Sequence, residues 1–109
     1  MSSRERIVHE YDVVVIGGGP GGMSAAMAVG DAGLNVAVVE RNGFLAGTVN
    51  VGLCLHGFED GHGKRVIGGR SWELIQRCID DGGSVGPTPL TKSHMYSTTP
   101  IDMAILQKC

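Results

Sequence analysis

The fold is decided by residues 12–40, which read Asp12-Val-Val-Val-Ile-Gly-Gly-Gly-Pro-Gly-Gly-Met-Ser-Ala-Ala-Met-Ala-Val-Gly-Asp-Ala-Gly-Leu-Asn-Val-Ala-Val-Val-Glu40. The β-branched run 13–16 is typical of a parallel strand that is covered on both faces. Glycine and proline end that run, and the Ala- and Met-rich segment 23–32 then favours a helix that ends at a glycine. A second apolar run, 36–40, predicts another strand, so the stretch predicts a βαβ unit.

The spacing of three glycines, Gly17-x-Gly19-x-x-Gly22, indicates a dinucleotide-binding turn because it follows a strand and opens a helix. Gly17 can form the tight turn, Gly19 lets the backbone approach a diphosphate, and Gly22 lets the helix lie close to the strand. The N–H groups at the helix N-terminus can bind the diphosphate. Pro20 fixes φ there and has no N–H to satisfy.

Glu40 lies at the end of the second predicted strand. A carboxylate at this place can accept hydrogen bonds from ribose hydroxyls and repels a 2′-phosphate. The residues therefore favour an adenosine diphosphate group and disfavour NADP. They leave NAD and FAD open, since both contain that group, and the remaining alternative is a glycine-rich turn of an ordinary α/β protein.

Composition limits the expected partners. The 109 residues carry a formal charge of −2, which gives no electrostatic reason to expect nucleic acid or anionic lipid. No apolar run approaches the ~20 residues that cross a bilayer. The three cysteines Cys54, Cys78 and Cys109 are not closely paired, so neither a disulfide framework nor a metal site is indicated. We therefore expect a reduced, cytoplasmic chain without a membrane span, a nucleic-acid partner or a metal.

Beyond residue 40 the pattern is weaker. Residues 42–69 contain eight glycines, and strand-like pieces at 52–56 and 64–67 flank a polar turn that can form a hairpin. An amphipathic pattern predicts a helix over 71–81, with its core face formed by Trp72, Leu74, Ile75, Cys78 and Ile79. Residues 84–98 are expected to be loop or edge strand.

The sequence Thr99-Pro100-Ile101-Asp102 predicts the start of a last helix, over 102–109. Thr99 is expected to be its N-cap and Pro100 its first helical residue.

Residues 11–41, Tyr11-Asp-Val-Val-Val-Ile-Gly-Gly-Gly-Pro-Gly-Gly-Met-Ser-Ala-Ala through Val-Val-Glu-Arg41, resemble the N-terminus of FAD-dependent oxidoreductases of the glutathione-reductase-like superfamily. Residues 42–53 resemble the loop that runs past the flavin in that group, with Ala46 where a glycine is more usual. Residues 63–75 resemble flavoproteins related to fumarate reductase and heterodisulfide reductase. The resemblance implies an α/β fold, in which a Rossmann-like βαβ unit is followed by a glycine-rich loop and two helices.

The resemblance also implies FAD as the cofactor. By that resemblance, the residues that line its diphosphate are Gly17, Gly19, Pro20, Gly21 and Gly22. Glu40 would bind the adenosine ribose, and Arg41 would pack on or near the adenine, unless it is a solvated surface arginine. Gly47 and Thr48 would lie along the flavin-side half. Thr48 and Asn50 can donate hydrogen bonds to the flavin, or they are ordinary polar residues of a loop.

Other polar residues are given structural interpretations. Cys54 and His56 would share one face of a strand, but no third ligand or resolving cysteine lies near them in the sequence, so a structural role is favoured. The other histidines, His9, His62 and His94, have no partner in the sequence pattern. No catalytic residue is predicted.

The expected function is that of an N-terminal FAD-binding segment of a flavin-dependent oxidoreductase. It comprises a polar lead-in, 1–10, and an incomplete FAD domain, 11–109. Eighteen glycines and only two Phe, two Tyr and one Trp predict a marginal domain, which we expect to bind FAD weakly and to be inactive by itself. One alternative is a stand-alone nucleotide-binding or interaction module that completes its sheet by self-association. Another is a segment of an NAD-dependent Rossmann dehydrogenase.

Overall fold

The first part of the chain forms a parallel βαβ unit. In the computed structural model, which describes residues 4–52, 55–89 and 97–107, strand β1 (Val13–Ile16) pairs in parallel with β2 (Val36–Val39). Helix α1 (Pro20–Asp31) connects the two strands. The predicted α/β fold with a Rossmann-like strand pair is confirmed.

Helix α1 begins three residues earlier than predicted, at Pro20 rather than Met23. The helix can begin at Pro20 because the N–H that proline lacks would have no intrahelical acceptor in the first turn. Gly19 is the N-cap, with extended φ and ψ of −71° and −178°. At the other end Gly33 has a φ of +78°, as expected of the glycine that follows a helix.

The β1–β2 sheet is covered on one face. Val14 is 49% exposed, Ile16 78% and Val39 53%. The prediction that this strand pair is covered on both faces is wrong for the described residues, because α1 packs against one face of the sheet. Strand β2 also ends at Val39, one residue before the predicted end.

A second, antiparallel sheet follows a 3-10 helix at Gly47–Val51. Its strands β3 (Leu55–His56), β4 (Thr88–Pro89) and β5 (Ser97–Thr99) lie in the order β3-β5-β4.

The predicted turn over residues 59–63 is present, but the strand predicted over 64–67 is wrong. A single antiparallel bridge joins Glu59 and Arg65. The Asp60 carboxylate accepts the N–H groups of His62 and Lys64, at 2.9 Å each. Val66 donates its N–H to the Phe58 carbonyl. The chain therefore turns here, while β3 pairs with β5 rather than with residues 64–67.

Helix α2 (Gly69–Asp80) lies against α1. The Ser24 and Ser71 hydroxyls are 3.1 Å apart, and Arg70 forms an ion pair of 2.7 Å with Asp31 near the end of α1. The predicted core face is confirmed at its centre, where three residues are buried: Leu74, Ile75 and Cys78. The main core cluster consists of Ala46, Val49, Leu74, Cys78 and Leu106. No helix in the described ranges is long and apolar enough to cross a membrane.

The last helix, α3 (Met103–Leu106), begins later than predicted. Thr99 belongs to strand β5, so it is not the N-cap. Asp102 takes that role, since its Oδ1 accepts the N–H groups of Ala104 at 2.9 Å and Ile105 at 3.2 Å. A carboxylate two and three residues before those donors satisfies them better than a buried strand hydroxyl can. The predicted end of this helix lies outside the described residues.

The two cap assignments can be separated by mutation. We expect Asp102→Ala to lower the free energy of unfolding by about 1 kcal/mol, and Asp102→Asn to lower it less, since an acceptor is kept. The Thr99 hydroxyl is buried, and none of the described residues forms a hydrogen bond with it, so Thr99→Val should not destabilise the chain. Urea unfolding checks both. A larger loss for Thr99→Val than for Asp102→Ala would contradict the assignment.

Candidate functional site

The glycine turn joins the end of β1 to the start of α1. Gly17 has a φ of +98°, which favours glycine, and donates its N–H to the Val39 carbonyl at 2.8 Å. A Cβ on Gly22 would lie 1.8 Å from the Gly17 carbonyl oxygen. The tight turn predicted at Gly17 and the close helix–strand packing predicted at Gly22 are confirmed. A side chain at Gly17 would strain the backbone, and one at Gly22 would collide with the Gly17 carbonyl.

The N-terminus of α1 faces open space. Apart from the adjoining backbone, no atom of the described residues lies within 4 Å of a Cβ built on Gly19 or on Gly21. Within the described ranges no side chain caps this helix, and no acidic residue lies in its first turn. The first-turn N–H groups and the positive end of the helix dipole are therefore available to an anion. A diphosphate fits this donor set.

Glu40 is held next to the glycine turn by hydrogen bonds to both of its carboxylate oxygens. Oε2 accepts the N–H of Gly18 at 2.7 Å. Oε1 accepts the backbone N–H of Asn42 at 2.9 Å and its side-chain Nδ2 at 3.1 Å. The carboxylate is thus fixed between the end of β2 and the turn.

These donors also set the charge state of Glu40. The N–H groups of Asn42 and then Gly18 hold the pKa of the Glu40 carboxyl below its ordinary value. The group is therefore charged at neutral pH.

The loop after β2 passes over the glycine turn. Ala46 donates its N–H to the Gly18 carbonyl at 2.7 Å. A Cβ on Gly47 would lie 3.3 Å from the Cα of Gly19. Ala46, which stands where the related loops more often have glycine, has a φ of +73°, the left-handed conformation that glycine adopts without cost. The conformation expected of a glycine is thus kept despite the substitution.

Three of the predicted binding residues line one open cavity of about 310 Å³ beside this loop. Its lining is formed by Arg41, Asn42, Phe44, Gly47, Thr48 and Val51. Arg41 and Thr48 are exposed, and Asn50 is half-buried. The structure therefore brings the glycine turn, Glu40 and the 41–48 loop together at the carboxyl ends of the parallel strands, where α/β sheets bind ligands.

The other candidate residues make no contact that assigns them a role at this site, or they lie outside the described ranges. His56 borders a second cavity of about 180 Å³, which Pro20 and Ser24 of α1 also line. Cys54 and His94 lie outside the described residues. Among those described, no group of three or more His, Cys, Asp or Glu side chains can hold a metal ion.

Sequence reasoning missed Asn42, which makes two of the three hydrogen bonds to Glu40. The available signal was the pair Asn42-Gly43 directly after a strand, because asparagine in turns often hydrogen-bonds to nearby groups.

The fold and the site define a dinucleotide-binding α/β protein. Residues 12–109 match the family model described as FAD dependent oxidoreductase. The chain belongs to this family, whose cofactor is FAD.

Curated relatives match a shorter stretch. The chain is 58% identical over 40 residues to a soluble pyridine nucleotide transhydrogenase of Vibrio parahaemolyticus, which is 37% of this chain and 9% of the relative. It is 60% identical over 43 residues to dihydrolipoyl dehydrogenase 3 of Pseudomonas putida, covering 38% and 9%. The dihydrolipoyl dehydrogenase of Trypanosoma brucei brucei is 55% identical over 47 residues, covering 42% and 10%. No solved structure matches the chain significantly.

The contact between Gly22 and Gly17 makes a prediction about stability. Gly22→Ala forces the helix away from the turn and should cost at least about 2 kcal/mol of unfolding free energy. Gly30→Ala is the matched control, since Gly30 is an exposed residue of α1 with open space at its Cβ position. It should stabilise the chain by about 0.5–1 kcal/mol. Equal effects of the two variants in urea unfolding would contradict the close packing.

The lowered pKa of Glu40 makes a prediction about pH. Its contribution to stability is present above the ordinary glutamate pKa and is lost as the pH falls through the lower folded-state pKa. The stability difference between the unchanged chain and Glu40→Gln should therefore be constant near neutral pH and shrink in acid. The pKa of Asp60 is also lowered, by the N–H groups of Lys64 and His62, but this effect is common to both proteins. A difference that persists unchanged into acid would contradict the assignment.

Proposed function

We propose that this chain binds the adenosine diphosphate half of FAD and serves as the N-terminal FAD-binding segment of a flavin-dependent oxidoreductase. The observation that carries the proposal is the uncapped N-terminus of α1, which opens onto free space at Gly19 beside the fixed carboxylate of Glu40.

The diphosphate is assigned to the first turn of α1. Its oxygens accept the N–H groups of Gly21 and Gly22, and the helix dipole favours their negative charge. Pro20 begins the helix without an N–H of its own. The open space at Gly19 allows the diphosphate to approach the backbone, as the turn requires.

The adenosine is assigned to Glu40 and the residues after it. A carboxylate has about four acceptor positions, and three are used by Gly18 and Asn42. The fourth, on Oε2, accepts a ribose hydroxyl. Arg41 packs near the adenine from the rim of the 310 Å³ cavity.

Gly47 and Thr48 are assigned to the path of the cofactor toward the flavin. Gly47 lies next to Gly19 in the structure, which supports a position alongside the diphosphate. The Thr48 hydroxyl is exposed on the same loop and can donate a hydrogen bond.

FAD, when bound, supplies the hydride or electron transfer of the whole enzyme. The residues described here bind and orient its nucleotide half. Because the match to the curated relatives covers 9–10% of their length, it supports the shared cofactor site rather than the substrate of either named enzyme.

Binding of ADP, FAD, NAD⁺ and NADP⁺ by calorimetry tests this proposal. We expect ADP and FAD to bind and NADP⁺ to bind at least tenfold more weakly than NAD⁺, because Glu40 repels the 2′-phosphate. Gly19→Val should lower the ADP affinity at least tenfold, a loss of about 1.4 kcal/mol. The fold should persist, since the new side chain enters open space and the extended backbone before Pro20 suits valine.

Gly30→Ala serves as the control, because it alters the same helix far from its N-terminus. Two results would contradict the proposal: no binding of ADP or FAD by the unchanged chain, or full ADP binding by Gly19→Val. Flavin fluorescence of the natural protein after denaturation distinguishes a bound FAD from a bound NAD.

A further inference from the structure

Asn42 supplies two of the three hydrogen bonds that fix the Glu40 carboxylate. Its backbone N–H and its side-chain amide both donate to Oε1, at 2.9 and 3.1 Å. Oε1 is thereby saturated, since a carboxylate oxygen has two lone pairs. Oε2 keeps one lone pair beyond its bond to Gly18.

Among the described residues no cationic side chain pairs with the Glu40 carboxylate in place of these N–H donors. Among the described residues the ion pairs involve Arg70 with Asp31 and Glu73, and none involves Glu40. The Glu40 side chain is half-buried. Its two carboxylate oxygens are held by the N–H of Gly18 on one side and by the two N–H donors of Asn42 on the other, and the backbone N–H of Arg41 also favours its charged form.

We propose that Asn42 is a positioning residue, which holds Glu40 so that the one remaining acceptor position on Oε2 meets a ribose hydroxyl. This inference rests on the proposed function. The preference for a ribonucleotide over a deoxyribonucleotide then depends on two residues, the acceptor Glu40 and the donor Asn42.

The proposal predicts different effects on different nucleotides. Because a hydrogen bond to a charged acceptor is stronger than one between neutral groups, the unchanged chain should prefer ADP over 2′-deoxy-ADP or 3′-deoxy-ADP by about tenfold or more. Asn42→Ala should reduce that preference, with little change for the deoxynucleotide that lacks the recognised hydroxyl. Asn42→Asp has nearly the same shape but replaces the donor with a second carboxylate, so it should reduce the preference further.

A double-mutant cycle separates positioning from a merely structural role. Glu40→Ala removes the acceptor and should abolish the preference, and adding Asn42→Ala to Glu40→Ala should then change nothing more. Asn35→Ala is the matched control: Asn35 lies before β2, and its hydrogen bonds to Asp12 and Val13 use its backbone N–H and carbonyl, which the substitution keeps. It should bind all three nucleotides as the unchanged chain does.

A second readout needs no nucleotide. If the Asn42 side chain helps to hold the carboxylate, the pKa of Glu40 followed by carboxyl NMR should rise slightly in Asn42→Ala, which removes the side-chain donor and keeps the stronger backbone N–H donor, and should stay unchanged in Asn35→Ala.

The possible outcomes are distinguishable. If the unchanged chain does not bind ADP, the proposed function fails and the inference fails with it. If ADP binds, the inference alone is overturned by any of three results. These are equal losses for ADP and both deoxynucleotides in Asn42→Ala, an unaltered preference in Asn42→Asp, or an unaltered pKa of Glu40 in Asn42→Ala.

Discussion

The rest of the site depends on the link between the end of β2 and the glycine turn. Two contacts form it: the Gly17 N–H to the Val39 carbonyl and the Gly18 N–H to the Glu40 carboxylate. The second is a charge-assisted hydrogen bond, roughly twice as strong as a neutral one. Because the link joins residues 22 positions apart in the sequence, it holds the carboxyl ends of β1 and β2 side by side at one edge of the sheet.

The same edge shows how glycine is used for three different purposes. Gly17 provides a left-handed backbone, Gly22 permits a contact that a Cβ would prevent, and Gly19 leaves space that nothing in the described chain fills. The first two serve the fold, whereas the third does nothing for it.

The βαβ unit was predictable because its local signals agree with its tertiary structure. β-branched runs, a proline at the helix start and a glycine after its end all act within a few residues. The errors fall where distant parts of the chain decide. The local sequence predicts Thr99 as a helix N-cap, whereas in the structure Thr99 pairs with Leu55 in the antiparallel sheet. Residues 64–67 have strand-like composition, but β5 is the strand that pairs with β3.

The residues of the candidate site also divide into those that a local motif predicts and those that it does not. The glycines and Glu40 could be found from spacing, because the motif is local. Asn42 could not, since asparagine after a strand is common and its role appears only when the Glu40 carboxylate is seen to need a second donor. Composition also could not reveal that β1 and β2 leave one face exposed, because a valine run is the same whether covered on one face or both.

The left-handed Ala46 affects how the loop beside the site opens. Its methyl group is buried in the core with Leu74 and Leu106, and the side chain of Gln107 hydrogen-bonds to both the N–H and the carbonyl of Leu45. Loops usually open by local fluctuations with little loss of packing. Here the loop can open only together with α3 and part of the core. The amide hydrogens of the loop and of α3 should therefore exchange with solvent at similar rates, because the two segments open as one cooperative unit.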